Sequence, residues 1–162
     1  MTGGALNRSI ESFLRFVNLA SSGILAGSLG FGEAALVPGW EQELGRDETS
    51  RMPETKYFNA IGPVALASAV TLAVASRGNG AVRRTLDAAT AISLAGVLAS
   101  TIMVTVPISR ELETQPARDY PSERSQSLTR NWSRAHAVRT TLGLSAFLCA
   151  VASNVARRGH AK

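Results

Sequence analysis

"NWSRAHAVRTTLGLSAFLCAVASNVARR", residues Asn131 to Arg158, decides the fold. Between Thr140 and Ala156 its only ionisable group is the thiol of Cys149. Trp132, His136 and Arg139 stand at the entrance to that apolar run, and Arg157 and Arg158 close it. A bilayer core is crossed by about 20 predominantly apolar residues in a helix, and this stretch meets that length. Three more blocks like it lie upstream. Glu33 is the only ionisable side chain from Phe16 to Trp40, and none occurs from Ala88 to Ser109. Tyr57 to Ser76 carries no charged side chain.

Only 18% of the 162 residues are charged and 45% are apolar, and the charges fall between the blocks. A helical bundle in water shows a polar stripe along each helix, and these blocks lack one. The expected fold is therefore all-α, a single domain of four transmembrane helices over about 13–40, 57–76, 86–109 and 133–156. A water-soluble helical bundle is the alternative. The first block is too long for the core of a signal peptide and is followed by three others, so it is expected to be retained.

The net charge of +5 is not the footprint of a nucleic-acid binder, because no aromatic residues are interleaved with the basic ones. Much of it flanks helix ends, where anionic lipid attracts Arg and Lys. Lys/Arg bias also sets orientation. Arg8, Arg15, Arg77, Arg83, Arg84, Arg157, Arg158 and Lys162 fall on short segments of one side, which places both termini in the cytoplasm of a multi-pass protein of the cell membrane. Small residues supply the means of helix association: Gly23, Gly27, Ala26, Gly30 and Ala34 in the first block, and Ala65, Ala69 and Ala73 in the second. They serve packing within the chain or, alternatively, a homo-oligomer seam. Cys149 reads as a small apolar residue inside a helix.

An ionisable residue inside a membrane helix costs at least about 2.5–3.5 kcal/mol, so it marks function. Glu33 is such a residue, seven positions before Trp40, and Pro38 ends or kinks its helix. With the topology above, Glu33, Tyr57, Asn59, Ser109 and the group Trp132, His136 and Arg139 all fall at the non-cytoplasmic end of the bundle. The other end holds only arginines and a lysine, with Asn18, Asp87 and His160. His136 and Arg139 are spaced i, i+3, and Trp132 and His136 i, i+4, so all three share one helical face. The alternatives are an Arg139 that snorkels to headgroups, an interfacial His136, and a Glu33 that reaches water at a helix end. A metal is not expected: the chain has two histidines, and Glu33 with His136 gives two ligands where a catalytic zinc takes three. No phosphate loop, nucleotide fingerprint or nucleophile elbow is present.

These features resemble the anthrone oxygenase-like family of small four-helix membrane proteins. The similarity runs from about Phe13 to Val155. It rests on a small-residue-rich first helix ending in Val37-Pro38, on a third span ending in "VTVPISREL", and on "W-x-x-x-H-x-x-R-T" formed by Trp132, His136, Arg139 and Thr140. Ser109 stands where the family usually has asparagine. The resemblance implies oxidation of an anthrone, an apolar polycyclic aromatic of polyketide origin, to a quinone by molecular oxygen with no cofactor. In that chemistry His136 would be the base that removes the acidic benzylic proton. Arg139 would hold the resulting anions, and Trp132 would stack on the flat substrate. Glu33 would orient His136 or pair with Arg139, and Asn59 and Ser109 would line the same pocket. A cyclase or isomerase of another apolar metabolite using the same base is the competing enzyme, and a non-catalytic membrane protein anchored by these residues is the competing class.

The orientation has a direct test. Cysteines placed in the 41–56 and 110–134 loops should react with an impermeant thiol reagent added outside the cell, and one placed in 77–84 should not. The opposite labelling would invert the bundle while leaving its spans.

Overall fold

The computed structural model describes residues 8–36, 54–76, 80–114 and 123–159, and side chains over 8–34, 60–76, 80–111 and 123–157. Every described segment is helical, in four rods. The first is α1, Arg8–Phe31, prolonged by a π-helical turn, Gly32–Leu36. The second is α2, Glu54–Ala75. The third is α3, Ala81–Ser100, which passes through a π turn, Thr101–Thr105, into α4, Val106–Thr114. The fourth is α5, Glu123–Gly159, 37 residues long. Val37, Pro38 and Trp40 lie outside the described residues.

Among the described residues, two rods are long and apolar enough to cross a membrane, Ala81–Glu111 and Glu123–Arg157, and Ala60–Ala75 is a shorter apolar helix. All four rods begin before the boundaries expected from sequence, and the third and fourth also end beyond them. The polar connection over 110–134, in which residues after Pro121 could start an interfacial helix leading into the fourth span, is helix through Thr114 and again from Glu123 onward, where it is one rod with the span itself. Ser, Gln and Arg are tolerated in a helix once tertiary contacts hold it.

The second π turn has a visible local cause. Pro107 has no N–H and its ring collides with the carbonyl four residues back, so the α-ladder cannot run through it. The ladder widens just before it, where the Val106 N–H bonds the Thr101 carbonyl. In the sequence, Pro38 stands at the same distance beyond the first π turn, and valine precedes both prolines.

Rod α5 packs against α1 and α3, and α2 fills the side between those two. The core is made of Leu25, Leu29, Ala65, Ala69, Leu94, Val97 and Ala146. Its small residues allow close backbone approach: a methyl on Gly143 would meet Leu29 at 2.9 Å, and one on Gly23 would meet Phe147 at 3.1 Å. Gly23 therefore serves packing within the chain, whereas nothing lies within 4 Å of a methyl placed on Gly27.

Polarity is distributed the reverse of a bundle in water. Phe13, Phe16, Ile24, Phe31, Val64, Ile92, Met103, Val138 and Leu148 face outward, while Arg15, Asn18, Ser22, Asp87, Thr90, Ser153, His136 and Arg139 are buried. Two clusters stand out among the buried polar groups, and one of them joins Arg15, Asn18 and Asp87 at the end opposite His136. Toward the start of α1, Arg15 Nη2 donates to Asp87 Oδ2 at 3.0 Å, and its Nη1 donates to Asp87 Oδ1 at 3.3 Å and to Ser153 Oγ at 3.1 Å. Its Nε donates to Glu11 at 3.0 Å, and Arg83 also pairs with Glu11. Two acids and two guanidiniums balance, and they tie α1, α3 and α5 in one register. Asn18 adds α2 through the Ala65 carbonyl and Ser68.

A buried pair broken on one side leaves an uncompensated charge, at a cost of about 3–5 kcal/mol. Asp87→Ala is accordingly expected to destabilise the detergent-solubilised protein by about that much, and Arg15→Leu with Asp87→Leu to recover most of it. Thermal or denaturant unfolding of the three proteins measures this, and equal stability of Asp87→Ala and the parent would show that the network holds nothing.

Candidate functional site

The second cluster lies where the two π turns face α5. Arg139 is 7% exposed and His136 4%, so neither snorkels to an interface. Arg139 Nη2 donates to His136 Nδ1 at 2.7 Å, and its Nη1 donates to the Thr101 hydroxyl at 3.4 Å. Thr101 hands its own proton to the Val97 carbonyl at 2.7 Å. A guanidinium has no acceptor atom, so His136 Nδ1 must be the accepting nitrogen. The ring proton then sits on Nε2, which donates to the Leu29 carbonyl at 3.2 Å. Thr140 Oγ1 donates to that carbonyl too, at 3.3 Å. Leu29 lies one turn before the change of ladder in α1, and its oxygen thus accepts two bonds from α5.

The imidazole is further boxed by its neighbours. The Trp132 indole lies over it with ring centroids 5.0 Å apart and planes 10° from parallel. On the α1 side, a methyl on Gly32 would sit 2.8 Å from Nε2, so only glycine admits the ring. Glu33 follows directly, with Oε2 3.9 Å from His136 Nε2. Oε2 is buried and has no hydrogen-bond partner among the described residues, although the Glu33 side chain as a whole is 38% exposed. Thr105, one turn beyond Thr101 on the second π turn, also buries a hydroxyl with no partner among them.

Four residues expected from sequence therefore meet: Trp132, His136, Arg139 and Glu33. Trp132 is spent on covering His136 and is 6% exposed, so its ring face is turned to the imidazole. Ser109 is half-buried on α4, and no hydrogen bond among the described residues ties it to the cluster. Asn59 lies on α2, but its side chain is outside those described. Thr101, Thr105, Gly32 and the Leu29 carbonyl were missed. The signal for Thr101 and Thr105 was the valine-proline that follows each π turn, which was read as a helix end and a family mark rather than as a change of ladder. Among the described residues no three of His, Cys, Asp and Glu gather as a ligand set. A groove of about 520 Å³ between α2 and α3, lined by Ala73, Val74, Arg84, Thr85, Ala88, Ala89 and Ile92, lies away from this cluster.

The model of the anthrone oxygenase family matches residues 54–149, which include Thr101, Thr105, Trp132, His136 and Arg139 and leave Glu33 outside. No curated protein and no solved structure matches the chain.

Forcing a side chain into a filled site costs about 1–3 kcal/mol. Gly32→Ala is thus expected to lower stability by that amount, whereas Gly27→Ala should be neutral or better, since it adds a methyl in open space and helical alanine is favoured over glycine. Parallel melting curves in detergent decide this, and equal effects would mean that His136 has room to move.

Proposed function

The chain belongs to the anthrone oxygenase family, and from that premise we propose that it is a membrane-embedded, cofactor-independent oxygenase that converts an anthrone-like polycyclic aromatic to a quinone with molecular oxygen. The observation that carries the reading is the pairing of a carboxylate and an imidazole beside a buried guanidinium, Glu33, His136 and Arg139, at two π turns. π turns recur at functional sites because they re-aim side chains. Such an oxidation needs a base at an acidic C–H and a cation near the anion that forms. Once that proton leaves, the aromatic enolate is electron-rich enough to reduce oxygen itself. A water-poor surrounding strengthens every one of these interactions.

The outward apolar side chains support a bundle in lipid; on this reading all four rods span it, and the Lys/Arg bias of the sequence puts both termini in the cytoplasm and Glu33 at the far face. The half-exposed Glu33 edge is then where an apolar substrate arrives. The burial of Trp132 and Arg139 speaks against interface anchors, which face outward. A cyclase or isomerase would use the same groups without consuming oxygen.

Oxygen uptake by the protein in liposomes, with several anthrones, tests the reading. The wild type should exceed the spontaneous rate, and a rate equal to background for every anthrone would sink the oxygenase. Arg139→Lys keeps the charge but loses the planar fork that holds His136 and Thr101 together; it should lose most of the activity. Exhaustive treatment with chelators should leave uptake unchanged, and restoration by added copper, iron or zinc would contradict a metal-free reaction.

A further inference from the structure

On the oxygenase reading above, we propose that Glu33 is the catalytic residue that takes the substrate proton, and that His136 is a positioning residue. The imidazole has no free lone pair. Its Nδ1 accepts from Arg139 at 2.7 Å, and its Nε2 carries the proton donated to Leu29. Taking a proton would require it to drop the Arg139 bond and then stand as a cation against a guanidinium that never loses its charge. Like charges that close oppose each other strongly away from water.

Glu33 has the opposite properties. Its Oε2 is buried, unpartnered among the described residues, and 3.9 Å from His136 Nε2. A buried acceptor without a donor is costly, and a proton taken up at the exposed part of the carboxylate lowers that cost by removing its charge. The carboxylate also stands at the edge of the bundle, 38% exposed, where a substrate can reach it, whereas His136 lies behind Gly32 and Trp132. Electrostatics agrees. When Glu33 takes the proton, one negative charge moves from carboxylate to enolate and the net charge of the site is unchanged. When His136 takes it, a new cation and a new anion are created in a medium that solvates neither.

The steps balance. The benzylic C–H breaks, its proton goes to Glu33, and the electron pair spreads into the enolate. The enolate reduces oxygen and bonds to it, giving a carbon-bound peroxide anion that takes the proton back from Glu33. Glu33 then removes the second hydrogen from the same carbon, that electron pair forms the carbonyl, the O–O bond breaks, and the departing hydroxide collects the proton as water. One CH₂ and one O₂ become one C=O and one H₂O.

The test separates proton removal from oxidation. An anthrone deuterated at the benzylic carbon is incubated under argon with the full-length protein in liposomes, and loss of deuterium to solvent is followed by mass spectrometry. Oxygen uptake is measured in parallel in air. Wild type should speed the exchange above background without oxygen. Glu33→Gln should slow it by about 10²–10⁴-fold, the usual span for a general base. Glu33→Asp, which keeps a carboxylate should the amide impair folding, should retain part of it. His136→Gln, whose amide can still donate to Leu29, should retain more exchange than Glu33→Gln. Wild-type exchange in Glu33→Gln, or loss of exchange in His136→Gln alone, would overturn the assignment. Wild-type oxygen uptake with no enzymatic exchange would overturn it while leaving the oxygenase, and the absence of both would remove the oxygenase reading and this assignment with it.

Discussion

Arg139 carries a charge that it cannot lose, and its place inside the bundle sets the terms for everything around it. A buried guanidinium must spend its N–H groups on acceptors. One goes to the Thr101 hydroxyl and one to His136 Nδ1. The second bond has consequences at a distance. It fixes which ring nitrogen holds the proton, and the fixed Nε2–H finds its acceptor on α1, at the Leu29 carbonyl. One charge on α5 thus places α3, α5 and α1 against one another by a chain of single donors and acceptors.

The π turns make that chain possible. Each falls just before a proline in sequence, and each presents a different group to α5: Gly32 and Glu33 from the first, Thr101 and Thr105 from the second. An α-helix running straight through would carry these positions around to another face, because the angle between successive residues is smaller in the wider turn. At the second turn, backbone chemistry imposed by Pro107 therefore becomes side-chain chemistry at the site.

This division explains what could be read from sequence. Trp132, His136 and Arg139 were legible as a group because they lie on one helix at spacings of three and four, and Glu33 was legible because it is alone among apolar residues. Thr101 was not, because a threonine in an apolar run looks like any other and its meaning comes from a rod packed against it. The Arg15–Asp87–Ser153 network was hidden for the same reason. Arg15 counted among the flanking charges, Asp87 stood at the same end and Ser153 was not singled out, and only the packing of three rods turns them into one buried set. A helix starting after Pro121 was legible as an interfacial one; that it runs unbroken into the fourth span was not, because the polar residues of 123–133 carry no apolar stripe and tertiary contacts hold them.

The two clusters differ in a way that separates support from chemistry. Around Arg15 the charges cancel and, Nε of Arg83 apart, each buried group of the set meets a partner: two contacts to Asp87, one to Ser153 and one to Glu11. Such a set has nothing left to offer a ligand, and its effect is to hold helices in register. Around His136 the balance is left open. Glu33 Oε2 and Thr105 Oγ1 are buried without a partner among the described residues, on the two π turns that flank the imidazole. The set around Arg15 closes on itself, whereas beside His136 one carboxylate oxygen is unmet among the described residues while the rest of the same side chain is exposed, and it is on this contrast that the proposed role of Glu33 rests.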